Sequence, residues 1–149
     1  MRTRVAAFSC LVQLFVATTA GASSSVTTTP SAGATDLTLD GEGTSSTHII
    51  KVADLSLWTD SSAGFTVNVT SGVLSKSGGT SVPFKVALVA DGAATPGAGA
   101  FTVPSGMTLS FSSFVPGAVE KDLYIMYTPA ALQDPGPYAA TIDVDIVDR

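Results

Sequence analysis

Hydrophobic side chains in this chain recur at every second residue, in one short segment after another. Phe65, Val67 and Val69 alternate with Thr66, Asn68 and Thr70. Val82, Phe84, Val86 and Leu88 alternate around Pro83, Lys85 and Ala87, and Met107, Leu109 and Phe111 around Thr108 and Ser110. The longest run is Tyr138, Ala140, Ile142, Val144 and Ile146, set against Ala139, Thr141, Asp143, Asp145 and Val147. Successive side chains of an extended backbone point to opposite faces, so each segment reads as a strand with one buried and one wet side. Helical spacing is not sustained anywhere. Turn-forming clusters punctuate the runs at 60–64, 75–80, 91–99, 116–117 and 134–137. Pro83 has no N–H to give a ladder, which puts the start of its strand at an edge or bulge. Short alternating strands at this spacing predict an all-β chain, an immunoglobulin-like β-sandwich.

Charge narrows the function. Seven basic residues face twelve acidic ones, a net charge of −5, and a nucleic-acid partner would need a basic face. With 45% hydrophobic and only 13% charged residues, the 149-residue chain is also unlike a disordered one. One Cys and one His supply neither a disulfide framework nor a Cys/His metal site.

Residues 1–22 read as a secretory signal peptide. Arg2 and Arg4 form a positive start, Val5 to Ala17 is mostly apolar but too short to span a bilayer, and Ala20-Gly21-Ala22 is a small-x-small cleavage pattern. Cleavage after Ala22 removes Cys10, the single cysteine, and leaves 127 residues with five basic and twelve acidic side chains. A chain of that length can bury a core without disulfides. No stable membrane span is expected after cleavage, because no later apolar run approaches the roughly 18 residues a span requires. The expected destination is outside the cell or on its surface, through the periplasm in a Gram-negative host. Residues 23–43 read as a flexible N-terminal extension, rich in Ser, Thr, Ala and Gly at first, and 44–149 as the sandwich domain.

The most specific local signal is the corner at Asp134, Gly136 and Tyr138. Asp134-Pro135-Gly136 suits a tight turn, with Pro holding φ and Gly free to take a positive one. Tyr138 then opens a long strand, ring inward, its hydroxyl able to tie back to the turn. That is either a tyrosine corner of the immunoglobulin-like kind or a plain Pro-Gly turn. Counting back from it assigns 121–128, 107–111, 81–90, 64–70 and 48–58 as strands five to one. With 138–147 as the sixth, nothing follows to supply a seventh. A sandwich lacking its last strand presents an apolar groove and unpaired edges that invite strand addition. The groove-lining alternation is Phe65, Val67, Val69, Ile142, Val144 and Ile146. Leu37 and Leu39, alternating with Asp36, Thr38 and Asp40, are the candidate donor strand. Donated to its own groove, that segment closes a monomer. Donated to a neighbour's, it makes a head-to-tail homo-oligomer or fibre.

Pro135-Gly136-Pro137-Tyr138, the strand Ala140 to Val147, the leader and the Ser/Thr/Ala-rich extension together resemble bacterial pilin-like subunits. The nearest group is the spore-coat-U-like, archaic chaperone–usher pilin family, and the likeness in layout covers roughly residues 35–149. Such a resemblance implies a subunit completed by a donor strand and handed by a periplasmic chaperone to an outer-membrane usher. Many such pilins carry a disulfide, which this chain without its leader cannot form.

Other constellations point less sharply. His48 is the only imidazole, and no nucleophile motif accompanies it. Asp143, Asp145 and Asp148, and separately Asp40-Gly41-Glu42-Gly43, offer oxygen ligands of the kind calcium takes, though without a Ca-loop pattern. Asn68-Val69-Thr70 fits the glycosylation pattern. The run Gly92 to Gly99 lacks the Lys of a phosphate loop. Trp58, Tyr124 and Tyr127 could stack on sugar rings. The expectation is a non-enzymatic, cofactor-free structural or adhesive surface protein, plausibly pilin-like in its assembly. Its rival is a monomeric secreted immunoglobulin-like module that binds carbohydrate.

Overall fold

Each alternating segment of the sequence forms a strand. A computed structural model describes residues 5–11, 14–15, 22–38, 45–134 and 136–149. In chain order its strands are β1 (Val5–Leu11), β2 (Leu14–Phe15), β3 (Ser24–Pro30), β4 (Asp36–Thr38), β5 (His48–Thr59) and β6 (Phe65–Thr70). They continue with β7 (Val73–Leu74), β8 (Val82–Ala90), β9 (Thr108–Ser113), β10 (Gly117–Tyr127), β11 (Tyr138–Thr141) and β12 (Asp143–Asp148). Among the described residues helix is confined to two 3₁₀ turns, Ala32–Thr35 and Ala98–Ala100.

Two sheets face each other as an all-β sandwich. One runs β3-β5-β10-β8-β7 and the other β9-β6-β12-β2. A three-stranded ladder, β11-β1-β4, prolongs the second sheet, because β11 and β12 are one C-terminal strand interrupted only at Ile142. The core lies between the sheets. Leu55, Leu57, Phe84 and Leu123 come from one side, Phe65, Val67, Ile142 and Val144 from the other, and all are buried. Pro83 pairs only with Val73 of the two-residue strand β7, where no β10 ladder needs its missing N–H.

Strand β5 carries a bulge that sets up a second feature. Leu123 pairs with Ala53 and Tyr124 with Lys51, so Val52 is an extra residue. An extra residue reverses which face the following side chains take. Inward positions are Ile50 and Val52 before it and Leu55 and Leu57 after it. On the outer face, Phe101 packs on Ala87 and Tyr124, with Ile49, Val89 and Met126 around them. Phe101 thereby pins the long connection from β8 to β9 as it crosses between sheets.

That crossing places two strands consecutive in the expected order in different sheets. Segment 81–90 lies beside β10, whereas 107–111 belongs to the other sheet, beside β6. A further strand, β3, pairs along β5 from Ser24↔Thr59 to Pro30↔Ala53, so the segment at 48–58 is not the first of its sheet. Residues 23–43 are therefore not a flexible arm over their described part. Val26 and Ala34 are buried in the common core, and Ser31 donates from its N–H to the Val52 carbonyl at 2.9 Å. The Ser and Thr that read as linker fill exposed or half-buried positions of a strand whose one bulky inward residue is Val26.

Candidate strand-accepting site

The C-terminal strand supplies the site. Tyr138, Ala140, Ile142, Val144 and Ile146 all turn inward and are buried, and β12 pairs antiparallel with β6 from Asp143↔Thr70 to Asp148↔Phe65. The six residues read as groove lining, Phe65, Val67, Val69, Ile142, Val144 and Ile146, form one continuous floor with no exposure above 2%. On its other flank the C-terminal strand meets β1 and β2.

The register there is regular. Phe8 pairs with Tyr138 through to Leu11 with Thr141, parallel, and Leu14 with Val144 and Phe15 with Asp145, also parallel. Both stretches differ by the same 130 positions, so β1 and β2 follow the C-terminal strand as one. The far edge of β1 pairs antiparallel with β4: Val5↔Thr38, Ala6↔Leu37, Ala7↔Asp36. The place β1 holds, beside β11 and joined to β4, is a slot that a single extended segment fills.

Leu37 is 1% exposed and sits in its own chain's core on β4, so of the two expected placements its segment takes one within its own body. The physical reason is that residues 24–38 complete two sheet edges of their own domain. Leu39 and the acidic run at 40–43 lie outside the described residues.

The corner that opens β11 holds the slot's upper end. Tyr138 is buried, and its hydroxyl donates to the Asp134 carbonyl at 3.0 Å while accepting from Gln133 Nε2 at 2.7 Å. Gln133 Nε2 also donates to the Thr80 carbonyl, and Asp134 Oδ2 accepts the Thr80 N–H at 2.8 Å. Gly136 takes φ +130°, open to glycine at little cost. Pro135 lies outside the described residues. Across β11, Ser75 and Ala139 exchange two backbone hydrogen bonds of 2.9 Å, so that flank is already paired.

The remaining candidates lie apart. Asp148 Oδ1 accepts from Thr59 Oγ1 at 2.5 Å, which ties the last strand to β5. Among the described residues the acids that do converge are Asp54, Asp91 and Asp122, none of them from the expected Asp143, Asp145 and Asp148. The bulge at Val52 brings Lys51 and Asp54 to the same outer face, and the Lys51 ammonium lies 2.5 Å from Asp54 and 2.9 Å from Asp122. Burial opposes ionisation of Asp122, but Lys51 and the Gly92 N–H outweigh it and hold the carboxyl below its ordinary range. The two carboxylates raise Lys51 well above its own. A cation already supplied by the chain occupies this cluster, so it works as an ion-pair clasp. His48 stacks on Tyr127 with ring centroids 5.3 Å apart. Trp58 is exposed, whereas Tyr124 and Tyr127 are buried, so the three do not share a sugar-binding platform.

Sequence reasoning missed β1, β2 and the Lys51–Asp54–Asp122 clasp. The apolar stretch from Val5 suits a leader and a strand alike, because continuous hydrophobicity is common to both. No protein-family model matches this chain, and no curated protein matches it.

Proposed function

We propose that this chain is an exported, non-enzymatic surface subunit that assembles or adheres by taking an extended strand into the slot beside its C-terminal strand. One observation carries the reading. The segment filling that slot, residues 5–15, is the very stretch that reads as the apolar part of a cleavable leader. Once it leaves, β4 has no ladder partner among the described residues, and β11 and β12 lose their pairing on that flank. A sheet edge of that kind recruits a strand. This supports a pilin-like subunit whose partners are further copies, with a periplasmic chaperone and an outer-membrane usher as the implied handlers. The donor cannot be Leu37 in its present place.

The backbone around the expected cut agrees. Ser23 donates its N–H to Asp60 Oδ1 at 2.6 Å, and Asp60 returns its N–H to the Ser23 carbonyl at 3.2 Å. A cut after Ala22 turns that N–H into an ammonium facing a carboxylate, which keeps β3 seated. The test is to recover the exported protein, confirm by mass that it starts at Ser23, and measure its size by sedimentation. Assemblies that shrink when a synthetic peptide of residues 5–15 is added support the reading. A stable monomer indifferent to the peptide overturns it.

A further inference from the structure

We infer that the chain caps its own slot until its leader is removed, so that leader cleavage is the event that converts a closed monomer into a strand acceptor. The inference rests on the strand-accepting reading above and adds what occupies the slot beforehand.

Three features of the pairing carry it. First, β1 pairs antiparallel with β4 over residues 5–7 and then parallel with β11 over residues 8–11, so one strand joins the two in succession. Second, the register is constant along both β11 and β12. Positions 8, 10 and 14 stand opposite the buried Tyr138, Ala140 and Val144, and position 6 stands opposite the buried Leu37. Those positions hold Phe8, Cys10, Leu14 and Ala6, while Ser9 and Leu11 fall opposite the exposed Ala139 and Thr141 and Phe15 opposite the half-buried Asp145.

Third, the connection is short. Phe15 ends its ladder opposite Asp145, and β3 begins opposite Thr59, whose hydroxyl bonds Asp148 three residues further along β12. Three residues of strand cover about 10 Å. Eight residues, 16–23, separate Phe15 from Ser24, and eight extended residues reach roughly 27 Å. The link is ample for the chain's own slot, and a tether this short raises the local concentration of the leader strand there far above that of any other chain's.

Cys10 provides the test, since it is the only cysteine and lies opposite Ala140. Paired positions on neighbouring strands are about 4.8 Å apart, within the range a disulfide bridges. The full-length Ala140→Cys chain is oxidised with glutathione disulfide and its links are mapped by mass, with Thr141→Cys as the off-register control. A bridge from Cys10 to position 140 within one chain, absent from the control, is the expected result. The same bridge formed between two chains overturns self-capping but keeps the strand-accepting slot. A second measurement does not depend on the new cysteine. Hydrogen exchange is compared between the unaltered full-length chain and Ser9→Pro, which removes a ladder donor from β1 alone. Exchange at 138–145 is expected to quicken at least about tenfold in the variant. No bridge in either form, with identical exchange in the two chains, overturns both the capping and the slot.

Discussion

Two glycines of this chain share a backbone conformation and differ in what surrounds them. Gly64 has φ +85° and Gly92 has φ +67°. A Cβ on Gly92 would meet nothing within 4 Å, whereas one on Gly64 would stand 2.0 Å from the Ser113 carbonyl oxygen. Gly92→Ala is expected to cost about 1–2 kcal/mol, the ordinary left-handed penalty. Gly64→Ala is expected to exceed about 3 kcal/mol, because the β5–β6 corner must open to admit the methyl. Urea titration of both variants measures the difference. The turn at 60–64 was legible from its composition. Nothing in a run of Gly and Ser tells which of them lies against another strand's carbonyl.

The Lys51 clasp sets a pH dependence at the same scale. A carboxyl held below its ordinary value contributes stability that is complete above the unfolded pKa, about 3.9, and is lost as pH falls through the folded one. The raised Lys51 contributes below about 10.4 and loses its share only as pH rises through its folded value. The native chain should therefore lose melting temperature faster than Asp122→Asn as pH drops from about 5. Parallel curves for the two would show that Lys51 does not favour the charged carboxylate. Lys51 and Asp54 have opposite parity on an unbroken strand, so only the bulge made this pair possible.

At the level of elements, the segment around β3 and β4 decides between a free arm and a built-in strand. Leu37→Ala in the full-length chain is expected to cost about 2–5 kcal/mol, as deletion of a buried leucine does. A free donor arm would lose almost nothing in the same denaturant titration. The strands of the body were plain in the sequence because β6, β8, β9 and β12 each alternate cleanly over five or more residues. β3 was not, since Ser, Thr and Pro dominate it and Val26 is its one bulky inward side chain. An edge strand needs to bury only one such residue, which leaves little pattern to find.

For the whole molecule, the proposed capping makes stability depend on the leader strand. A chain starting at Ser23 is expected to melt below the full-length one, having lost the strand that pairs with β11 and β4. Adding the 5–15 peptide at about one hundred times its dissociation constant should restore about 2.7 kcal/mol by mass action. A melting temperature that ignores the peptide at every concentration would show that the slot does not take this strand. The protein's total charge is acidic in both forms and does not discriminate between them.

By itself, the order of residues determined that this chain is a β-sandwich, which side of each body strand lies inside, and where Tyr138 turns the corner. Those follow from local rules, since backbone alternation and turn chemistry act over a few neighbours. Only the tertiary structure decided that residues 24–38 belong to the body, that 107–111 changes sheet, and that β1 joins β4 to the C-terminal strand. Such facts depend on which distant edges meet, and a strand's edge hydrogen bonds are made by backbone atoms that every sequence carries alike.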